Sequence, residues 1–311
     1  MSFFNLHTHT HFSDGSAEPA EYIEEALRQG FTTLGFTDHS PVPFENNFAI
    51  DEEALSLYCE TILNLRNQFS DTPIQDPGSR IQDPRYGTRD MGYGILILLG
   101  LEIDFIHGIT RSFADYRHTY PLDYTIGSVH LVRNSDPSHF WFIDGPDISI
   151  YDHGLKEIFA GDIRKAVTSY YLQIQEMVAL HKPDIVGHFD KVKMYNRNRY
   201  FSEEDFWYIR LIDETLDIIE HHGCVVEVNT RGIYKKRSKT LFPGPAVLKK
   251  IHQRNIPITL CSDAHKPGEL SLFFNEATAL LYDIGFREIM NRTEDGWKGE
   301  LLMTPPLHPS P

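Results

Sequence analysis

Short apolar runs alternate with amphipathic stretches along nearly the whole of this 311-residue chain, and no other feature constrains the fold as much. Repeated strand–helix units cover both faces of a parallel sheet, so the pattern selects an α/β architecture. Strands are expected at Phe3 to His7, Thr32 to Thr37, Ile95 to Ile103, Tyr124 to His130, Asp184 to His188, Cys224 to Asn229 and Ile256 to Ser262. Helices are expected between them. Ser16 is a candidate cap for the first, with Pro19 in its opening turn and Gly30 at its stop. Leu55, Tyr58, Ile62, Leu65 and Phe69 recur at helical spacing behind Asp51, which predicts a helix over 51–69. Further helices fall near 155–181, near 202–222 with Ser202 as cap and Gly223 as stop, and near 245–254. Seven such units are too many for a small doubly wound sheet and suit a closed or nearly closed barrel. The stretch 70–94, rich in Pro, Gly, Asp and Arg, repeats IQDP at Ile74 and Ile81 and reads as a mobile surface insertion in one domain spanning 1–311. The tail TPPLHPSP from Thr304 reads as flexible.

Composition narrows the chemistry. A chain of this length buries about three quarters of its unfolded surface, so any metal serves chemistry rather than holding the core together. Lys and Arg total 29 against 44 Asp and Glu, a formal net charge of −15. That balance lacks the broad basic surface that tracks phosphate backbones and argues against nucleic acid as a partner. No apolar run approaches the roughly 18 residues of a membrane span, and Met1 to His11 has neither a basic stretch nor the apolar core expected of a signal segment. The expected location is the cytoplasm, with no membrane partner. Cys59, Cys224 and Cys261 are far apart and form no CxxC pair, so they read as small buried residues rather than disulfides or zinc thiolates.

Histidine is abundant, 16 residues against 12 lysines, and its placement carries the functional argument. The first strand runs into HTHTHFSDG, where His7 and His9, two apart, project to one side of an extended chain. The second ends in TDHS with Asp38 and His39, the third in GLEID with Glu102 and Asp104, and the fourth in GSVH with His130. The fifth ends in DIVGHFD with His188 and Asp190, the sixth in VEVNTRG with Asn229 and Arg231, and the seventh in TLCSDAH with Asp263 and His265. Every expected strand thus delivers a charged or metal-type residue to its C-terminal end, the face on which barrel enzymes build their sites. A single His after a strand is ordinarily a turn residue. Six imidazoles and several carboxylates buried around one barrel mouth without a cation leave charges unpaired at several kcal/mol each, and metal ions remove that penalty. His221 and His222 sit at a helix end, and His181, His252 and His308 read as surface residues. His107, His118, His139 and His153 stay unassigned, His11 is a secondary candidate, and Asp104 is a candidate for orienting a ligand.

These residues resemble the polymerase-and-histidinol-phosphatase (PHP) superfamily of metal phosphoesterases. Its signatures are an HxH near the N-terminus, a TDH, a Glu after a strand, two single His and a late DxH; here they are His7-Thr8-His9, Thr37-Asp38-His39, Glu102, His130, His188 and Asp263-Ala264-His265, in family order over residues 3–265. The strings IGSVHLV, FIDG, SYYLQIQEMV, DIVGHFDKVK and VEVNT resemble its histidinol-phosphate phosphatase branch. The resemblance implies a distorted, TIM-like (β/α)7 barrel with three divalent metal ions, of Zn, Mn or Fe, at the C-terminal ends of the strands. It assigns His7, His9, Glu102 and Asp263 to one ion, Glu102 as a bridge with His130 and His188 to a second, and Asp14, His39 and His265 to a third. Asp14 is the weakest of these, since many members carry His in that loop, and His11 is its alternative. The 70–94 insertion departs from a minimal member but falls between motifs.

The chemistry also follows from the residue types. Mixed imidazole and carboxylate donors suit Zn, Mn or Fe(II), and ions roughly 4 Å apart can share a hydroxide that attacks phosphorus in line. Glu102, Asp263 and His265 form the expected catalytic centre. Arg197 and Arg231 are nominated to clamp the phosphate, with Lys191, Lys193 and Arg133 in reserve, and Asp144 or Asp152 to meet a cationic leaving group. The expected reaction is hydrolysis of a small phosphate ester, L-histidinol phosphate first. The alternatives are another phosphoester, such as a phosphotyrosine protein, a C–N hydrolase, or a non-catalytic domain. The C–N reading lacks a carboxylated-lysine position, and the non-catalytic one is at odds with a full set of ligands. Oligomeric state is not legible.

Overall fold

A computed structural model describes residues 3–70, 94–134 and 139–302. Its first strands are β1 (Phe3–Asn5), β2 (Phe31–Phe36), β3 (Leu96–Asp104) and β4 (Tyr124–Ser128). A short antiparallel hairpin, β5 (Leu131–Arg133) and β6 (Phe140–Phe142), follows; then come β7 (Ile185–Val186), β8 (Val225–Asn229) and β9 (Ile258–Cys261), and a terminal hairpin of β10 (Glu288–Thr293) and β11 (Gly296–Leu301). One parallel sheet runs in the order β1-β2-β3-β4-β7-β8-β9. Past the ends of β1 and β9 the chain pairs again: His9 N–H donates to Ala264 O at 2.8 Å, Ala264 N–H donates to His7 O at 3.2 Å, and Thr8 and Ala264 form a parallel bridge. The ring is therefore drawn together at its C-terminal mouth, giving the nearly closed, TIM-like (β/α)7 barrel that the alternation implies.

The helices that cover this sheet are α1 (Pro19–Gln29), α2 (Leu55–Ser70), α3 (Phe113–Thr119), α4 (Ile148–Phe159), α5 (Ile163–His181), α6 (Phe206–His222), α7 (Arg231–Tyr234), α8 (Pro245–Gln253) and α9 (Phe274–Ile284). Gly30 and Gly223 end α1 and α6 at φ of 78° and 69°, left-handed positions that glycine occupies without a Cβ penalty. Leu6, Leu34, Leu101, Ile126, Val186 and Val226 are buried along the sheet, and the Tyr124 hydroxyl donates to Leu6 O at 2.6 Å. Gly35 makes room for that ring. A Cβ on Gly35 lies 1.9 Å from the Tyr124 hydroxyl, so no larger residue fits the strand there without displacing it.

Several boundaries differ from expectation. Ser16 does not cap α1; its hydroxyl donates to His265 O at 3.0 Å, and the helix begins after Glu18, whose N–H donates to the Glu21 side chain. Likewise α2 begins at Leu55 after a turn in which Asp51 O accepts from Ala54, and α6 is capped at Asp205 rather than Ser202. The stretch 155–181 is two helices, because Ala160 and Gly161 adopt positive φ and Asp162 starts α5 by accepting from Lys165 N–H. The strands β1, β4, β7, β8 and β9 are shorter than read, so His7, His130 and His188 lie just beyond strand ends, as His39, Asp263 and His265 do. Most of the 70–94 insertion and the tail from 304 lie outside the described residues.

Candidate metal centre

The residues just past the strand ends converge on the closed mouth. His7 Nε2 and His9 Nε2 stand 3.0 Å apart, as their two-residue spacing on an extended segment requires. Glu102 Oε2 is 3.2 and 3.3 Å from these nitrogens, and Asp263 Oδ1 is 3.9 and 3.5 Å from them. A second group forms where His130 Nε2 and His188 Nε2 stand 3.0 Å apart, with Glu102 Oε1 at 3.9 and 2.9 Å. The two oxygens of Glu102 thus face two different pairs of imidazoles. In a third group Asp14 Oδ1 lies 3.0 Å from His265 Nε2, 4.0 Å from His39 Nε2 and 3.8 Å from His9 Nδ1. His11 stays outside; it is half exposed and pairs with Glu18 at 3.3 Å.

Carboxylates behind the ring fix these imidazoles. Glu227 Oε1 is 2.5 Å from His7 Nδ1, and its Oε2 accepts from His188 N–H at 2.7 Å. Asp104 bonds the Nδ1 atoms of both His130 and His39, the latter at 2.9 Å. With protons held on these Nδ1 atoms, the Nε2 atoms of His7, His39 and His130 are left as lone-pair donors aimed into the groups. Imidazole nitrogens and carboxylate oxygens converging this closely are a donor set that fits divalent ions. Electrostatics points the same way. Burial lowers the pKa of His39, but the Glu102 and Asp104 carboxylates outweigh it and hold the ring at about 10. Burial likewise opposes a raised His7, yet Glu227, Glu102 and Asp263 lift it well above its ordinary value. Burial and the nearby Lys191 hold His188 down at about 4, and burial, His9 and Arg231 do the same to His265. Burial would raise Glu102, but His7, His39 and His130 hold it well below the usual carboxylate range. At His7 and His39 the carboxylate field that draws a proton onto the imidazole equally draws in a metal cation.

Backbone strain accompanies the site. His188 and Asp263 take φ of 22° and 54°, conformations costly for side-chain-bearing residues and tolerated where surrounding bonds over-determine them. Gly187 beside His188 is forced in turn, since a Cβ there lies 2.3 Å from the Ser128 hydroxyl.

The groups open into a cavity of about 230 Å³ lined on its charged side by Asp14, His39, Glu102, His130, Asp263 and His265, together with Lys191, Arg231, Arg237 and Asp144. Arg231 donates to His265 Nδ1 at 2.6 Å and to Asp263 O at 2.8 Å. The buried Lys191 Nζ lies 2.5 Å from Asp144 and 4.0 Å from Asp263. The structure does not bring Arg197 to this cavity. The chain leaves β7 through a single 3₁₀ turn at Lys191–Lys193, and the left-handed pair Arg197–Asn198 then turns the Arg197 side chain to the surface, where it bonds Arg237 O. Arg237 takes a place in the lining instead. Of the reserves, Lys193 is engaged by Asp190 and Glu203, and Arg133 bonds His107 O. Asp152 is paired with Arg199 and Tyr200. Sequence reasoning missed Glu227 and Arg237. The signal for Glu227 was a lone carboxylate inside the apolar run VVEVN.

A nearly closed barrel with its imidazoles and carboxylates gathered at the C-terminal mouth defines a barrel protein built around groups that can hold divalent metal ions. The chain belongs to the PHP domain family, whose model matches residues 5–231. It is similar to a probable histidinol-phosphatase of Deinococcus radiodurans, 26% identical over 92% of this chain and 95% of that protein. It is equally similar to the histidinol-phosphatase of Bacillus subtilis, 26% identical over 85% and 94%. Among solved structures it resembles a histidinol phosphate phosphatase from Lactococcus lactis subsp. lactis Il1403 complexed with zinc, L-histidinol and phosphate, with a TM-score of 0.61 and 22% identity over 93% of this chain and 95% of that one. Among the described residues no helix is long and apolar enough to cross a membrane.

Proposed function

We propose that the protein is a metal-dependent phosphomonoesterase that converts L-histidinol phosphate and water to L-histidinol and phosphate. The reading rests on one observation: a complete set of ligand groups in a chain matched over nearly its whole length by proteins called histidinol-phosphatases. His7, His9, Glu102 and Asp263 are proposed to hold one divalent ion, Glu102 with His130 and His188 a second, and Asp14, His39 and His265 a third, with His9 Nδ1 turned toward this last group. Zinc, manganese and iron all suit these donors. When bound, such ions lower the pKa of a water and offset charge on phosphoryl oxygens.

The protein's own part is positioning. Glu102 holds two ligand groups at one spacing. Asp104 and Glu227 set the tautomers of His39, His130 and His7. Arg231 and Lys191 line one side of the cavity and supply donors to a phosphate, the guanidinium in a fork and the ammonium as a point charge. With −15 on the chain, this local cationic wall and the ions themselves are what admit a phosphate dianion. A cytoplasmic location and one domain over 1–311 complete the proposal.

The test is phosphate release from L-histidinol phosphate by protein supplied with Mn or Zn, beside p-nitrophenyl phosphate and a phosphotyrosine peptide. Faster turnover of histidinol phosphate is expected. Faster turnover of the peptide replaces this substrate with a phosphoprotein.

A further inference from the structure

The cavity has a second side that the phosphate chemistry does not use. Beside its charged residues it is also lined by Phe48, Phe142 and Pro146, with Asn47. Phe142 ends β6, and Phe48 belongs to the loop that follows β2. The two rings are nearly parallel, 23° between planes and 6.3 Å between centroids, and Phe48 also meets His39 edge-on at 5.4 Å. One step outward, Phe44 and Phe140 repeat the pairing at 5.7 Å and 25°. The loop is anchored at both ends of this ladder. The Asn46 side chain accepts from Phe48 N–H at 3.0 Å and Ala49 N–H at 2.8 Å, and Ile50 N–H donates to His39 O at 3.0 Å. Partly exposed rings held this firmly are prepared for a contact rather than left over from a core.

The carboxylates of the cavity are already engaged. Asp14, Glu102 and Asp263 belong to the ligand groups, and Asp144 is held by Lys191 at 2.5 Å and Arg237 at 3.4 Å. Asp144, the carboxylate expected to meet a cationic leaving group, lines the cavity but already carries Lys191 and Arg237 as partners. The apolar surface sharing the cavity with the ligand groups is that of Phe48, Phe142 and Pro146.

We infer that Phe48 and Phe142 form a subsite for the flat ring of the leaving group, selecting heteroaromatic and aromatic phosphate esters by ring stacking rather than by ion pairing. Phe44 and Phe140 act as positioning residues that hold the loop and hairpin together. Aromatic faces accept a flat neutral ring by offset stacking and a protonated one by cation–π attraction, so the subsite works for an imidazole in either state. The inference deepens the substrate reading above by naming what recognises the ring.

The experiment compares Phe48→Ala, Phe142→Ala and the bulk-preserving Phe48→Leu and Phe142→Leu on L-histidinol phosphate, p-nitrophenyl phosphate and the acyclic O-phosphoethanolamine. Each variant's kcat/KM is taken relative to wild type on the same substrate, so differences in leaving-group ability cancel. Each Ala variant is expected to lose about fivefold more on the two ring esters than on O-phosphoethanolamine, with the Leu variants losing selectivity while keeping the wild-type melting temperature. Calorimetry with the alcohol L-histidinol should show weaker binding to the Ala variants than to wild type. Equal losses on ring and acyclic esters, or unchanged L-histidinol binding, overturn the subsite. If wild type ignores histidinol phosphate, the substrate reading fails on its own, and the p-nitrophenyl comparison still decides the subsite.

Discussion

The base of the cavity and its rim are built in different ways. Apart from Asp14, which comes from the loop between β1 and α1, the ligand side chains at the base lie within or just past a barrel strand, and neighbouring strands are hydrogen-bonded, so their places are set by register. Thus Glu102 pairs with Ile126 of β4 and forms a bridge with His39, and Asn229 pairs with Cys261. The rim comes from connections: the 41–50 loop, the β5–β6 hairpin and the segment around Arg237. Its residues meet only through tertiary contacts such as the two phenylalanine pairs. The difference teaches that the chemistry of this cavity is built into the sheet, whereas its choice of substrate is carried by parts that can change without disturbing the sheet.

The sharpest way to break this comparison is at the residue that joins two ligand groups. Glu102→Gln keeps the shape but removes the charge facing His7, His9 and His188; a loss of about 10³-fold or more in kcat is expected, with metal content falling by elemental analysis. Wild-type rate and metal content in this variant would refute the bridging role. Next is Glu227→Gln, which leaves the ligands in place but weakens the group behind His7 and His188. Metal affinity is expected to fall by about 10- to 100-fold, measured by competition with a chelator, and unchanged affinity means that the sheet alone orients the imidazoles. The smallest effect separates two arginines that look alike in sequence. Arg231→Ala is expected to raise KM for phosphate esters by about tenfold, whereas Arg197→Ala should change it less than about twofold because its side chain lies outside the cavity. A large effect at Arg197 would show that the rim closes over substrate further than this structure indicates.

The legible part of the site is the part with a local cause. His7 and His9 share a face because side chains two apart on extended chain always do, whereas the late DxH passes through a left-handed Asp263 at φ 54° and sends Asp263 and His265 to different groups. Helix stops at Gly30 and Gly223 were equally readable, being single-residue conformational effects. Ser16 and Ser202 were not. Each satisfied every local rule for a cap, yet Ser16 gives its hydroxyl to His265 O, and Ser202 caps only the turn before the helix, its Oγ accepting from Glu204 N–H while Asp205 stands at the start of α6. Glu227 was hidden for a related reason, since a carboxylate within an apolar strand gains its meaning only from His7 across the barrel.

By itself, then, the order of residues determined the (β/α)7 alternation, the end of the barrel that carries the site, and which imidazoles and carboxylates stand there. These follow from strand periodicity and from the cost of burying charge without a partner. Only the tertiary structure decided the rest. Closing β1 against the end of β9 brings His9 and Asp263 together from opposite ends of the chain. The barrel's curvature splits Glu102 between two groups, a left-handed turn sends Arg197 outward while Arg237 faces in, and a loop and a hairpin meet to set Phe48 beside Phe142. Such pairings join residues far apart in sequence, and no local propensity records which distant surface will complete them.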